Sequence, residues 1–148
     1  MKRQLLFETT STSLSEFQKT TETISKLIPQ KSVIALSGPM GAGKTEFVKT
    51  LCRLRGIQNA NSPTFALHHH YQNENVSVEH LDLFRLESED EIEATGFWDL
   101  FSQDSGLILI EWPEKMNLEQ IPQNWPLFFL EIDLLDFERR KISFSKRI

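Results

Sequence analysis

A glycine-rich segment at residues 38–45 has the residue types and spacing of a phosphate-binding loop. It runs Gly-Pro-Met-Gly-Ala-Gly-Lys-Thr and fits the pattern G-x-x-x-x-G-K-[ST]. Its three glycines permit backbone conformations in which successive N–H groups turn inward on phosphate oxygens. The residues that we expect to bind a nucleotide are Gly38, Met40, Gly41, Ala42, Gly43, Lys44 and Thr45. Lys44 supplies positive charge for the β- and γ-phosphates, and the hydroxyl of Thr45 is the expected Mg²⁺ ligand.

Two acidic residues follow apolar segments that are predicted to be strands. Glu111 ends the aliphatic run 107–110, and Asp82 lies near the end of a strand predicted over 76–84, with Arg85 close behind it. Ligands of open α/β sheets bind outside the carboxyl ends of the strands, so both acids are well placed for chemistry. P-loop proteins use such an acid to hold Mg²⁺ or its waters. One acid should hold the metal and the other should position the attacking water, and the spacing leaves open which does which.

The segments on either side of the glycine-rich loop predict a strand before it and a helix after it. Residues 33–37 are apolar and partly β-branched, which is typical of a buried strand. Apolar residues then recur at helical spacing from 47 to 54, and Gly56 is placed to end the helix. This order points the N-terminus of the helix at the phosphates, where its dipole favours negative charge.

The remaining periodic segments complete an α/β architecture. Capping-box patterns at Ser13 with Glu16 and at Ser88 with Glu91 predict two further helices. The first helix is expected to bury Leu14, Phe17, Ile24 and Leu27, and the second to run to Phe101 with a bend at Gly96. Residues 127–134 and 141–145 predict two antiparallel strands. We therefore predict a single P-loop NTPase-like domain over 1–148, with a mostly parallel central sheet flanked by helices and a C-terminal antiparallel hairpin.

Three other segments allow more than one interpretation. Residues 59–65 are polar and turn-forming, and Thr64 either senses Mg²⁺ and the γ-phosphate or belongs to a plain connecting loop. Residues 116–126 have the composition of a linker. The run at 68–70 is three histidines, of which only His68 and His70 would share one face of a strand. With no carboxylate or cysteine at ligand spacing, a strand on the sheet surface is favoured over a metal site.

Bulk composition narrows the classes of function. The chain has 148 residues and a net charge of −5, which argues against a broad nucleic-acid footprint of its own. Its single cysteine, Cys52, cannot form an internal disulfide. No apolar run reaches the length of a membrane span, and the N-terminus lacks the apolar core of a signal peptide. We predict a cytoplasmic protein with no membrane association.

Taken together, these motifs resemble one family, the bacterial TsaE (YjeE) ATPases of tRNA threonylcarbamoyladenosine biosynthesis. The resemblance covers nearly the whole chain. It rests on the glycine-rich loop, on S-P-T-F at 62–65, on D-L-F-R-L at 82–86 and on L-I-E-W-P-E at 109–114. The family often has an acidic or amide residue at the position of Pro39 and tyrosine at the position of Phe84. Phe84 therefore lacks the hydroxyl that tyrosine offers at this position.

The resemblance implies a specific activity. It implies weak hydrolysis of ATP with Mg²⁺, in concert with the TsaD and TsaB proteins. Those proteins transfer a threonylcarbamoyl group to adenosine 37 of tRNAs that read ANN codons, so this chain would meet tRNA only through the complex. By the same resemblance Thr45 and Glu111 would hold Mg²⁺, and Thr64 and Asp82 would lie near the γ-phosphate. Trp112 resembles a family-specific residue beside the site.

Two other functions fit a small P-loop protein. A small-molecule kinase usually needs arginines in a lid over the phosphates, whereas the corresponding region here, 87–93, is acidic. A nucleotide-gated binding protein would use hydrolysis only to reset an interface. The leading hypothesis is an ATPase that drives a conformational cycle in a tRNA-modifying assembly.

Overall fold

The computed structural model of the protein describes residues 1–58 and 68–148. The strands are β1 (Arg3–Ser11), β2 (Lys31–Ser37), β3 (His68–Gln72), β4 (Ser77–Asp82), β5 (Gly106–Glu111), β6 (Leu127–Leu134) and β7 (Arg140–Arg147). The α-helices are α1 (Leu14–Leu27), α2 (Lys44–Leu54) and α3 (Glu89–Ala94). Short 3₁₀ helices cover Phe97–Ser102, Pro113–Lys115 and Leu118–Gln120.

All seven strands form one sheet in the order β1-β7-β6-β2-β5-β4-β3. Its four central strands, β6, β2, β5 and β4, pair in parallel, as predicted. Antiparallel pairs extend the sheet on both sides, with β6 and β7 forming the predicted C-terminal hairpin and β3 pairing with β4. Because β1 pairs with β7, the two ends of the chain share one sheet.

The centre of the sheet is buried on both faces. Every residue of β5 is buried, as an aliphatic parallel strand requires. One face packs against α1 and α2, and its core includes Ile34, Leu109 and Phe47. The other face is covered by the segments between β4 and β6 and includes Ile110 and Trp125. This double cover holds the carboxyl ends of β2, β4 and β5 at one edge of the sheet.

Helix α1 begins with a capping box that differs in detail from the predicted one. The Ser13 hydroxyl accepts a hydrogen bond from the Glu16 N–H at 3.1 Å. The Glu16 carboxylate accepts from the N–H and the hydroxyl of Thr12, both at 2.6 Å, instead of from Ser13. These contacts satisfy backbone groups that have no partner inside the helix.

The buried face of α1 is narrower than the predicted one and excludes the two predicted leucines at its ends. Phe17 and Ile24 are buried, but Leu14 is 60% exposed and Leu27 is 46% exposed. Side chains three residues apart on a helix point about 60° apart around its axis, which turns Leu14 away from Phe17 and Leu27 away from Ile24. Ile28, four residues after Ile24, lies in the core instead. The expectation for both leucines was wrong.

Two other expectations for helices and linkers needed correction. Ser88 caps α3 by position but makes no side-chain hydrogen bond to it, and the helix ends at Ala94. Gly96, with φ of +76°, breaks the predicted longer helix before the 3₁₀ segment. The predicted linker 116–126 contributes Met116, Ile121 and Trp125 to the core, and the indole N–H of Trp125 donates to the Phe101 carbonyl at 3.0 Å.

The two N-cap serines give a matched test of this description. We expect Ser13→Ala to lower the free energy of unfolding by about 1 kcal/mol, because it removes the acceptor for the Glu16 N–H. Ser88→Ala removes no cap hydrogen bond and should cost only a few tenths of that amount. Urea unfolding followed by circular dichroism measures both values. Equal losses in the two variants would contradict the difference between the caps.

Candidate functional site

The glycine-rich loop, residues 38–43, is compressed between β6 and α1. A Cβ on Gly38 would lie 2.6 Å from the carbonyl oxygen of Ile132, so only glycine fits there. Gly43 has φ of +119°, and a Cβ on it would lie 3.0 Å from the Phe17 ring. The loop therefore depends on glycine at these positions both for its conformation and for its contacts with the neighbouring strand and helix.

Helix α2 begins directly after this loop and presents its N-terminus to the site. Its N-cap is Gly43, which makes no side-chain cap hydrogen bond, so the first-turn N–H groups receive no acceptor from a cap side chain. The helix dipole and such N–H groups favour an anion at this end. Thr45 lies exposed on this first turn. In this structure the N–H of Ala42 donates to the Pro39 carbonyl at 3.1 Å, and the Met40 side chain is 69% exposed.

Lys44 lies buried beneath the loop. Its Nζ donates to the carbonyl of Gly38 at 2.7 Å and lies 3.7 Å from the centre of the Trp112 ring. Burial lowers the pKa of this ammonium, while the charges of Glu111, Asp82 and Glu114 act in the opposite direction. The lysine thus occupies a position from which it can be drawn to phosphates, with negative charge around it.

The two predicted acids stand side by side. Asp82 and Glu111 are direct partners in the parallel register of β4 and β5, at the carboxyl ends of both strands. Glu111 is buried, and its Oε2 lies 2.6 Å from His80 Nε2, at hydrogen-bond distance. Asp82 is half-buried, and its Oδ1 accepts from the Phe84 N–H at 3.0 Å. The structure brings Asp82, Glu111 and Lys44 together, as the sequence predicted.

Trp112 packs against Lys44 beside the two acids. It has φ of 59° and ψ of 52°, and it is the only non-glycine residue with positive φ in the described ranges 1–58 and 68–148. Such a left-handed conformation costs about 1 kcal/mol or more, so the surrounding structure must hold it. Its ring contacts Phe84, with the ring centres 5.0 Å apart, in addition to the Lys44 ammonium.

The predictions for Arg85, Thr64 and the histidine run have different outcomes. Arg85 is exposed on the turn after β4, three positions beyond Asp82. Thr64 and the rest of the S-P-T-F motif lie outside the described residues. The histidine run forms the edge strand β3, as favoured. The reason given against a metal needs correction, since Glu79 on β4 supplies a carboxylate that contacts both His68 and His70.

Sequence reasoning missed two residues at the site. His80 precedes Asp82 by two positions on one strand, so alternation alone would have placed them on the same face. Arg140 lies on β7, far along the chain. Its Nε donates to the Ala42 carbonyl at 2.7 Å, and one terminal nitrogen lies 3.4 Å from the Gly41 carbonyl. No local pattern signals Arg140, because only the folded sheet brings it to the loop.

The residues present fit a magnesium nucleotide. Within the part of the chain that the structure describes, no three histidine, cysteine or acidic side chains are grouped to hold a metal ion by themselves. Mg²⁺ at nucleotide sites is bound by one or two carboxylates together with substrate phosphates and waters, so it needs no such cage. Glu111, Asp82 and Thr45 offer the oxygen ligands that it prefers.

None of the described helices is long and apolar enough to cross a membrane.

The parallel strands, with a glycine-rich loop joining β2 to α2, define a P-loop NTPase-like fold. A crystal structure of Bacillus subtilis YdiB shares it, with a TM-score of 0.71 over 99% of this chain and 88% of that chain at 22% identity. The family model described as "Threonylcarbamoyl adenosine biosynthesis protein TsaE" matches residues 11–142. The chain belongs to the TsaE family.

Individual relatives agree with this assignment, and each is called "tRNA threonylcarbamoyladenosine biosynthesis protein TsaE". The Aquifex aeolicus protein is 32% identical over 147 residues, which cover 97% of this chain and 99% of the relative. The Rickettsia felis protein is 34% identical over 132 residues, 85% of this chain and 74% of the relative. The Bacillus subtilis protein is 38% identical over 92 residues, 62% of this chain and 56% of the relative.

The contact between Lys44 and Trp112 predicts an optical signal. Phosphates should draw the ammonium away from the indole face, so nucleotide binding should change tryptophan emission. The chain has three tryptophans, and Trp112→Phe should abolish the change while Trp98→Phe retains it. Fluorescence titration with ATP in Mg²⁺ measures this. A full response in Trp112→Phe would show that the signal arises from another tryptophan and would contradict this prediction.

The contacts of Arg140 predict an effect on the loop. Its guanidinium contacts the carbonyls of Ala42 and Gly41 and thereby ties the loop to β7. We expect Arg140→Met to weaken nucleotide binding about tenfold, since a hydrogen bond to a charged group contributes about 1.5 kcal/mol or more. Arg139→Met is the matched control, because Arg139 pairs with Asp136 at the exposed turn. Equal affinities for a fluorescent ATP analogue in both variants would contradict this role.

Proposed function

We propose that this protein binds ATP with Mg²⁺, hydrolyses it slowly, and acts with the TsaD and TsaB proteins in threonylcarbamoylation of adenosine 37 of ANN-decoding tRNAs. The observation that carries this proposal is the convergence of Lys44, Asp82 and Glu111 beside the glycine-rich loop. The printed names of the relatives support the tRNA-modification role. That role is consistent with a cytoplasmic location.

Each residue has a distinct part in this proposal. The loop N–H groups and the N-terminus of α2 bind the β- and γ-phosphates, and Lys44 moves from Trp112 onto them. Thr45 and Glu111 would hold the metal, which supplies neutralisation of charge on the phosphates. Asp82, next to Glu111, orients the attacking water or accepts its proton. Catalysis on this account is positioning and electrostatic stabilisation rather than covalent chemistry.

The charge balance of the site favours the metal complex of the nucleotide. Lys44 lies within the electrostatic range of Glu111, Asp82 and Glu114, so the site is acidic before any ligand binds. Free ATP would add like charge beside these carboxylates, whereas magnesium ATP brings its own compensating cation. We therefore expect the protein to bind ATP much more tightly with Mg²⁺ than with a chelator present.

The surface charge supports contact with tRNA through partners. The net charge of the chain is −5, and the exposed acidic residues on one segment are Glu87, Glu89, Asp90, Glu91 and Glu93. Such a segment repels a phosphate backbone and suits the basic surface of a protein. It also lacks the arginines that a kinase lid would place over the phosphates.

Phosphate release from ATP tests the proposal, alone and with purified TsaB and TsaD from the same organism. We expect slow release alone, strong stimulation by the pair, and no release from Lys44→Ala or Glu111→Ala, because these changes remove charge at the phosphates and metal. Glu119→Ala is the control and should behave as wild type, because this exposed acid pairs with the N-terminal ammonium of Met1.

Two outcomes would overturn this proposal. Unchanged release in Lys44→Ala would remove the catalytic assignment of the loop. Turnover that ignores TsaB and TsaD and appears only with hydroxyl-bearing metabolites would identify a phosphotransferase instead.

A further inference from the structure

The side chain of His80 is the most deeply buried ionisable group beside the site. It lies on β4 with none of its surface exposed, on the same face as Asp82. Its Nε2 lies 2.6 Å from Oε2 of Glu111 on the neighbouring strand. A histidine that is completely enclosed and joined to a predicted metal acid has two possible roles, core packing or orientation of the carboxylate.

The geometry around Glu111 favours orientation. Its carboxylate is buried, and a buried charge is costly unless hydrogen bonds satisfy it. His80 Nε2 lies at hydrogen-bond distance from Oε2 and satisfies that oxygen. Among the carboxylates that act on the Lys44 ammonium, Glu111 has the largest effect. One oxygen is thus held by the sheet, and the group as a whole faces the phosphate-binding lysine.

The second ring nitrogen of His80 indicates which way the hydrogen bond runs. Nδ1 is buried and has no hydrogen-bond partner in the described part of the chain. A proton on Nδ1 would leave a buried N–H unsatisfied, which is costly, so the tautomer with its proton on Nε2 is favoured. That tautomer donates to the carboxylate and keeps Glu111 as the acceptor. In many metal sites a carboxylate supports a metal-bound histidine, whereas in this arrangement the histidine supports a predicted carboxylate ligand.

We propose that His80 is a positioning residue that orients Glu111 toward the metal of the nucleotide complex. This inference rests on the proposed function, because it assigns a supporting partner to the predicted metal acid. Outer partners of metal ligands change metal affinity by about 10–100-fold when they are removed. His80 itself touches neither nucleotide nor metal in this account.

The test compares three substitutions of His80. Glutamine can place its amide N–H where Nε2 lies, asparagine is one carbon shorter and cannot reach Glu111, and leucine offers no donor. The readout is the Mn²⁺ affinity measured by electron paramagnetic resonance in the presence of a non-hydrolysable ATP analogue. A second readout is binding of the same analogue in a chelator, where Glu111 has no metal to hold.

We expect His80→Asn and His80→Leu to weaken Mn²⁺ binding about tenfold or more and His80→Gln to retain most of it. Binding of the analogue in chelator should stay the same in all three variants. In Glu111→Ala, the further change His80→Asn should cost nothing more, because the pair acts as one unit. Tyr71→Phe is the control, since the Tyr71 hydroxyl is also buried and unpaired within the described residues but makes no hydrogen bond to Glu111.

The outcomes separate this inference from the proposed function. If wild-type protein binds the analogue with metal but His80→Asn and His80→Gln show equal metal affinity, His80 is only a packing residue. Tighter metal binding in His80→Asn would mean that His80 holds Glu111 away from the metal, and it too would overturn the inference. If the wild-type protein binds no nucleotide under any condition, the proposed function falls and this inference falls with it. Should His80→Leu not fold, the comparison of asparagine with glutamine still decides.

Discussion

The parallel register of β2, β5 and β4 is the constraint on which the rest of this structure depends. Leu36, at the end of β2, pairs with Glu111 on β5, and Glu111 pairs with Asp82 on β4. Parallel strands bring their carboxyl ends to one edge of a sheet, so the glycine-rich loop and both acids meet there. A slip of one residue in β4 would turn Asp82 to the opposite face and remove it from the site. The aliphatic side chains that fill both faces of β5 therefore protect the site geometry as well as the stability.

The second feature of this edge is an excess of negative charge around one buried lysine. Lys44 bonds to the Gly38 carbonyl and rests against the Trp112 ring, with carboxylates around it. Trp112 is held in a left-handed conformation that few residues of its type adopt. The loop itself is held from outside by Arg140 of the C-terminal hairpin. The antiparallel extension of the sheet thus belongs to the candidate site, since Arg140 on it holds the glycine-rich loop.

Sequence patterns predicted the elements that depend on local chemistry. The glycine-rich loop, the buried strand that ends in Glu111 and the cap at Ser13 were all predicted, because turn chemistry, hydrophobic period and capping act over a few residues. The predictions failed where tertiary contacts decide burial. Leu14 is exposed because its side chain points away from the face of α1 that packs against the core. Trp125 was placed in a linker, whereas its indole reaches a carbonyl of a distant segment and is buried.

The sequence by itself determined the family and the motifs that identify it. Glycine, lysine and threonine at fixed spacing act through the backbone and side chains of one short segment, and the acidic motifs at Asp82 and Glu111 keep their order along the chain. Only the tertiary structure decided which distant groups support them. His80 meets Glu111, and Arg140 meets the loop, because strand order and register bring together residues that are 31 and 98 positions apart. No local pattern encodes such distances, since they arise when the sheet assembles and buries its apolar faces.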